Sequence, residues 1–535
     1  MRPERAQTGS RKFMSTIIAA TPIIEYAIVV DPRDNLAVVK RETPAGLEVT
    51  LADNQVIRVS AAIPPGHRFA IRDIAAGEFV LQYGQPIGTS LGINPGDQIT
   101  HDNMSNEVPV IREMPEDLST PSPVYIPPAE RATFKGFRRA DGRVGTRNYV
   151  LIVPTSMCAS HEAQQISMMA EFTFYSREKF PNVDGVVAIP HNKGCGCQDG
   201  STLDVMLRTL SNYADHPNVG GVILMDLGCE KTNLAFVERY LLKRDKPFNK
   251  PMAKIGIQEV GGTEAAIKLG LEEVRRMLPE VNQAVREEVP VSELVLGVKC
   301  GGSDGFSGIS ANPSLGRAAD TLVRSGGTVL ITEIPEFCGA EHILANRAKN
   351  AEIGRAIYRM VDWYKEYASK FGAVLNQNPS PGNIAGGLLN LTVKSLGAMS
   401  KAGTTRVEGT VEYAETPKCH GLHLMQGPGY DQESTPGLVG AGATVVVFTT
   451  GRGTTIGNAI TPVIKLASNT PVFERMSRDL DLSAGGVIDG TETIDQVGAR
   501  VFEQMRKVAS GEVLAKAEEH KHREFQFWAE QTVSL

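Results

Sequence analysis

No stretch of this chain approaches the roughly 20 consecutive apolar residues that cross a bilayer. Its first apolar piece, Ile17 to Ala20, is too short for the core of a secretory signal, so a cytoplasmic protein is expected. Met14 offers a second start, and residues 1–21 read as a disordered tail. Positive charge is not in excess either: 55 Lys and Arg face 61 Asp and Glu, a net charge of −6. That balance argues against nucleic acid or an anionic membrane as partner. It leaves room for a small anionic substrate, because a site can be locally basic. Cysteine is scarce, with seven in 535 residues, an odd number and no disulfide framework. The paired C-x2-4-C knuckles of a structural zinc site are missing. GRGTTIGN (451–458) lacks the G-K-[ST] of a phosphate-binding loop, and GCGCQDG (194–200) has no clear acidic residue closing a dinucleotide-binding unit.

What is present is an ordinary soluble composition, 41% hydrophobic and 22% charged. The length suits roughly two to four domains. Residues 22–105 carry short apolar runs separated by turn dipeptides such as Pro64-Pro65-Gly66, which predicts a small β-rich domain. Residues 106–132 hold prolines 109, 115, 121, 123, 127 and 128 among acidic residues and read as a semi-extended linker. Beyond it the pattern changes to short, continuous, β-branched runs at 148–153, 185–189, 221–225, 254–257, 294–298, 328–331 and 443–448, alternating with amphipathic stretches. Strands buried on both faces and alternating with helices predict a doubly wound, mostly parallel α/β region. We divide it into an α/β domain at 133–375 and a C-terminal α/β domain at 376–535. After Thr493 a helix is expected, with the charged end EEHKHREFQFW as a solvated face or the contact of a homo-oligomer.

The unusual residues follow the predicted strands. Cys158 follows the first run; His191, Cys195 and Cys197 follow the second; Cys229 and Glu230 follow the third. Cys300 and Asp304, in KCGGSDGFSG (299–308), follow the strand ending at Val298; Glu333 and Glu336 follow the next, and Arg452 the last. Ligands of open α/β sheets bind outside the carboxyl ends of the strands, so these loops are expected to converge. Thiolate and imidazole suit iron or zinc, and carboxylate neighbours admit manganese. Cys195, Cys229 and Cys300 could hold an iron–sulfur cluster with one open iron, or His191 with Glu230 and Asp304 could bind one divalent ion. A cysteine nucleophile such as Cys158 beside His161 would leave the other loops without a use.

At these residues the sequence resembles the altronate/galactarate dehydratase family of sugar-acid dehydratases. The likeness lies in GFRRADGRVGTRN (136–148), His191 with Gly194-Cys195, LGCEKTN (227–233), CGGSDGFSGISANPSLGRAAD (300–320), QNPSPGN (377–383) with Gly386 and Gly387, KSLG (394–397), FTTGRGT (448–454) and PVIKLASNT (462–470). PPGHRFAIRDIAAGEFVLQYGQPIG (64–88) is similar to the family's SAF domain. GTVEYAETP (409–417) and IPEFCGAEHIL (334–344) look closer to altronate-type than to galactarate-type members. Thr100 and Asp102 stand where altronate dehydratases carry a His-x-His-Asn element, and Cys197 is an addition; both leave the particular sugar acid open.

The resemblance implies loss of water from a 2,3-dihydroxy acid to give a 2-keto-3-deoxy acid; the expected cofactor is Fe2+ or Mn2+, with an iron–sulfur cluster as the alternative that the cysteines themselves admit. On that expectation His191, Glu230, Asp304 and Arg452 are the catalytic candidates, and His191, Cys195, Cys229 and Cys300 the metal ligands. Gly301, Gly302, Ser303, Asn378, Asn383, Lys394 and Lys465 are the substrate-binding candidates. The glycine turn supplies backbone N–H donors, and Arg452 a bidentate grip on a carboxylate. The SAF-like module, with His67 and His101, is expected as a lid. Galactarate dehydration, sulfolactate sulfo-lysis and non-catalytic binding of a sugar acid are the alternatives.

Overall fold

The computed structural model describes residues 20–242, 248–375 and 378–529. The expected tail through Ala19, the alternative start Met14, and Gln377 of QNPSPGN lie outside them. The first module is built of three small sheets, as its short runs and frequent turns predict. Thr21–Pro22 pairs with Glu48–Thr50 and Val56–Arg58; Ala27–Ile28, Leu36–Val39 and Arg68–Ala70 form the second; Phe79–Gln82, Gln85–Ser90 and Met104–Ser105 form the third. The proline-rich segment that follows is tied along the rest of the chain. Arg112 pairs with Asp362, Arg406 donates to the Thr120 carbonyl, and the Ile126 N–H donates to the Arg324 carbonyl.

A short antiparallel sheet of Thr133–Arg138, Val144–Gly145 and Glu287–Pro290 and two larger parallel sheets make the rest. The first parallel sheet consists of β1 (Tyr149–Pro154), β2 (Gly185–Ala188), β3 (Val219–Asp226) and β4 (Met252–Gly256), in the order β2-β1-β3-β4. Helices α1 (Ser160–Thr173), α2 (Ser201–Ala214), α3 (Leu234–Leu242) and α4 (Thr263–Val281) cover it. The second sheet holds β5 (Val295–Cys300), β6 (Thr328–Ile331), β7 (Val407–Val411), β8 (Gly421–Met425), β9 (Val445–Thr450), β10 (Val463–Ala467) and β11 (Leu482–Ser483). Their order is β7-β8-β6-β5-β9-β10-β11. Its helices include α5 (Ala311–Arg324), α6 (Ala351–Ser369), α7 (Leu391–Met399), α8 (Asp431–Gly440) and α9 (Ile494–Ala509). Helices on both faces explain the continuous apolar runs: Val150 to Val153 and Val445 to Phe448 are fully buried. Among the described residues no helix is long and apolar enough to cross a membrane.

Two expectations are corrected. The division at residue 375 runs through one sheet, because Thr328 of β6 pairs with Gly421 of β8. Parallel strands meet only through long crossovers, so neighbours in space are far apart in sequence; the change of sheet falls between β4 and β5. The charged end is a solvated face only in part: Glu519, His520 and Lys521 are exposed, but its aromatic end is not. Phe527 and Trp528 are 1% and 7% exposed, packed in the cluster that holds Leu151 of the first sheet and Val446 of the second. The Trp528 N–H donates to the Tyr413 hydroxyl at 3.0 Å. Burial of the aromatic rings outweighs the charges around them.

Candidate active site

In the second sheet the chain runs from β5 to β6, β7 and β8 on one side and then returns to β9 on the other. The switch point therefore lies between the ends of β5 and β9, where Cys300-Gly301-Gly302 meets Thr450-Gly451-Arg452. Backbone bonds join the two loops: Gly301 donates to Thr449, and Gly451 and Arg452 donate to the Gly302 carbonyl at 3.0 and 2.8 Å. Gly302 takes φ +56°, a left-handed conformation that suits glycine. A Cβ on Gly301 would stand 2.4 Å from a carboxylate oxygen of Asp431. The N–H groups of Gly302 and Ser303 have no partner among the described residues, and the buried Ser303 hydroxyl has none. Arg452 is exposed beside them with no ion pair among the described residues. The loops thus present backbone donors and an arginine with no ion pair among the described residues, beside the carboxylates of Asp431 and Asp304.

Directly beneath lies a buried lattice of charges. The Lys299 ammonium sits 2.5 Å from Glu333 and 2.8 Å from Asp431 and donates to the Gly429 carbonyl at 3.0 Å. Lys401 pairs with the other Glu333 oxygen at 2.6 Å and donates to the Cys300 sulfur at 3.2 Å. Lys394 pairs with Glu336 at 2.8 Å and donates to the Asn378 amide oxygen at 3.0 Å. Burial by itself would discharge these groups. For Lys299 it is outweighed by Asp431 and Glu333, and for Lys401 by Cys300 and Glu333, so both ammoniums are held above their ordinary range. Likewise Lys394 and Lys299 overcome burial and keep Glu336 below the usual carboxylate range. Burial, reinforced by Glu333, pushes the Cys300 thiol up to about 11. Glu333 occupies the left-handed region at φ 81°, ψ 47°, a conformation that costs a non-glycine residue of the order of 1 kcal/mol or more.

Cys300, Glu333 and Glu336 each offer a ligand atom within 4.8 Å of the others, the one such group among the described residues. The second oxygen of Glu336 is buried without a partner. A thiolate and two carboxylates suit a divalent ion of the ferrous or manganous kind, so the donor set fits a metal.

Of the other predicted residues, Asp304 and Asn383 adjoin the loops after β5 and β9 and the rest fall elsewhere. Asp304 accepts from the Ser307, Ser468 and Asn469 side chains at 2.8 to 3.0 Å and from the Phe306 N–H, which stitches the β5 loop to the end of β10. Burial nonetheless raises its pKa. Asn383 donates to the Ser303 carbonyl at 2.8 Å and so braces the glycine turn. Lys465 is buried; its ammonium lies 3.4 Å from the Thr455 carbonyl, and burial lowers its pKa.

His191, Glu230, Cys195 and Cys229 lie at the carboxyl edge of the first sheet, outside the Cys300 group. The His191 ring donates from Nε2 to the Pro154 carbonyl at 3.0 Å and accepts at Nδ1 from the Lys193 N–H at 3.2 Å. Burial lowers its pKa to about 4. Glu230 accepts from Thr155 and Ser156 hydroxyls and from the Leu227 and Gly228 N–H groups at 2.8 to 2.9 Å. These donors outweigh burial and keep it ionised.

The SAF-like module is seated on the second half of KCGGSDGFSG. A Cβ on Gly305 would come within 2.2 Å of the Gly66 carbonyl, and one on Gly308 within 2.5 Å of the Tyr83 hydroxyl. Buried Arg68 donates to the Gly387 carbonyl at 2.5 Å. The loop's later glycines thus admit the module, and its earlier ones shape the site.

Sequence reasoning placed Glu333 and Glu336 at a strand end but did not assign them, and it missed Lys299, Lys401 and Asp431. A signal existed for one: Lys299 ends an otherwise apolar buried strand, where an ammonium needs partners. Lys401 and Asp431 carry no such local mark.

Three family models cover most of the chain. Residues 25–107 match the altronate/galactarate dehydratase SAF domain, 136–282 the D-galactarate dehydratase/altronate hydrolase second domain, and 291–533 the D-galactarate/altronate dehydratase C-terminal domain. An altronate dehydratase of Bacillus subtilis is 36% identical over 499 residues, which is 91% of this chain and 95% of that protein. A galactarate dehydratase (L-threo-forming) of Escherichia coli is 36% identical over 499 residues, 92% of this chain and 94% of that protein. A (2R)-sulfolactate sulfo-lyase subunit beta of Chromohalobacter salexigens is 32% identical over 396 residues, 74% of this chain and 96% of that protein. The chain is an enzyme of the altronate/galactarate dehydratase family.

Proposed function

We propose that this enzyme is a hydro-lyase that removes water from a sugar acid of the altronate type, a 2,3-dihydroxy acid, to give a 2-keto-3-deoxy acid. The observation that carries the reading is the unpaired Arg452 guanidinium beside the free Gly302 and Ser303 N–H groups, set above the Asp431–Lys299–Glu333 chain. Arg452 takes the substrate carboxylate in a bidentate pair. The two N–H groups face the charge that grows on that carboxylate when C2 loses its proton. Asp431, about a third exposed and fixed by Lys299, is placed to take the proton. The same proton passes to the C3 hydroxyl as the C3–O bond breaks, so water leaves and no net proton is exchanged. The enol proton then moves to C3, which yields the keto acid. Cys300, Glu333 and Glu336 would hold a divalent ion, which when bound would supply Lewis acidity next to these groups.

Purified enzyme offered altronate, galactarate and other C5–C6 sugar acids should yield a 2-keto-3-deoxy product from at least one; if none reacts, the reading fails. Release of sulfite from sulfolactate in their place would favour the chemistry of the third relative. Chelation should abolish turnover and ferrous or manganous ion restore it; indifference to chelators would remove the metal. Arg452→Gln should lower kcat/KM by about 100-fold, chiefly through KM, because a charged bidentate pair is worth roughly 3 kcal/mol. Its melting temperature should not move, since the side chain is exposed.

A further inference from the structure

A second collection of charge lies away from the Cys300 group. The carboxyl half of α5, the first turn of α9, the linker around Pro121 and Pro123, and Thr404-Thr405-Arg406 enclose a cleft of about 530 Å³. That is the size of a small-molecule site. None of Cys300, Glu333, Glu336, Asp431 and Arg452 lines it, but three guanidiniums do, those of Arg317, Arg324 and Arg406.

Their carboxylate partners are few. Arg317 pairs at 2.8 Å with Asp495, which is 79% exposed, so water weakens that pair. Arg324 donates to the Val124 carbonyl at 3.1 Å and has no ion pair among the described residues. Arg406 shares Glu408 with Lys349, at 2.6 and 3.3 Å. Asp320 has both oxygens taken: the Thr404 and Thr405 N–H groups donate to one, and the Thr404 hydroxyl to the other. Arg347 feels the charge of Asp320, donates to the Gly403 and Ala402 carbonyls, and keeps its Nε buried without a partner. Together these groups hold five cations against three carboxylates. The wall also contains a donor without a use: Thr405 is 8% exposed, and its hydroxyl is buried with no partner among the described residues.

Guanidinium forks match carboxylate and phosphate alike. A carboxylate brings one charge and two oxygens, whereas a phosphate monoester brings about two charges and three acceptor oxygens. Surplus cations with hydroxyl donors beside them suit the second. The cleft also adjoins the charge lattice through one short segment. Gly403, at φ +67°, lies so close that an added Cβ would stand 2.2 Å from an Asp320 oxygen. Two residues earlier, Lys401 pairs with Glu333 at 2.6 Å.

We propose that this cleft binds the phosphate group of a small phosphorylated molecule, with Arg317, Arg324 and Arg406 as its charge partners and the Thr405 hydroxyl as a further donor. The site is separate from the reaction proposed above, and its test needs no turnover. In equilibrium dialysis the full-length protein should bind radiolabelled inorganic phosphate, less tightly as chloride is raised. Glycerol phosphate should displace it at equal or lower concentration. Arg317→Gln and Arg324→Gln, both at exposed positions, should each weaken binding by about tenfold and leave the melting temperature unchanged. Arg452→Gln should keep this binding, which separates the cleft from the donors of the active site. Hydrogen exchange at 400–406 should slow when phosphate is added. The assignment would be overturned by a wild type that binds no phosphate, by binding undiminished in both arginine variants, or by loss confined to Arg452→Gln. Failure of glycerol phosphate to compete, or protection elsewhere but not at 400–406, would overturn it equally.

Discussion

Glu333 holds a buried ammonium on each of its oxygens, Lys299 on one and Lys401 on the other. The group is a lattice in which each charge is stable only because its neighbours are present. Glu333→Gln leaves two buried lysines short of a counter-charge, and the loss of one partner from such a pair costs about 3–5 kcal/mol. Chemical denaturation of that variant should show a fall of this size. At Arg452 the opposite holds: it is exposed with no ion pair among the described residues, which is why the proposed function gives it the substrate carboxylate. The contrast separates residues that build the site from residues that use it. The polar atoms of Asp304, Glu230 and His191 are all taken up by partners within the protein.

Two connections between elements can be tested. The first is the seat of the SAF domain on the β5 loop. Gly305 has no positive φ, so only space restricts it, and an added Cβ would meet the Gly66 carbonyl at 2.2 Å. Gly305→Ala should cost about 1–3 kcal/mol by overpacking. It should also expose the linker at 106–132 to trypsin, which limited proteolysis would show. The second is Asp481, whose carboxylate accepts from the Lys465 N–H of β10 at 2.7 Å and from the Lys516 N–H at 2.8 Å. Burial raises its pKa from 3.8 to about 6. An acid raised in the folded state stabilises fully below its unfolded value, and that contribution is lost as pH rises through the folded value. Relative to Asp481→Asn, the wild-type urea midpoint should therefore fall between pH about 4 and about 6 and stay level above. A midpoint difference that does not change across that window would contradict this account.

At the scale of the whole molecule the C-terminal segment joins the two sheets. Trp528 packs beside Tyr413, Tyr364 and Trp363, and Phe527 lies 5.0 Å from the His191 ring. Trp528→Ala should cost about 3–5 kcal/mol, measured by denaturant unfolding. The sequence by itself determined the elements, because periodicity follows from burial: the β-rich module, the parallel α/β class and the functional strand ends are all local patterns. It also marked Cys300 and Arg452, which stand beside glycines at strand ends. Sheet membership and charge pairing were decided only by the tertiary structure. Parallel strands pair across long crossovers, so β5 and β9 flank one crevice although Cys300 and Arg452 are distant in sequence. Lys401 and Asp431 look like ordinary surface charges until the fold brings them to Glu333 and Lys299. A buried charge depends on a partner in space, and no local pattern records that partner.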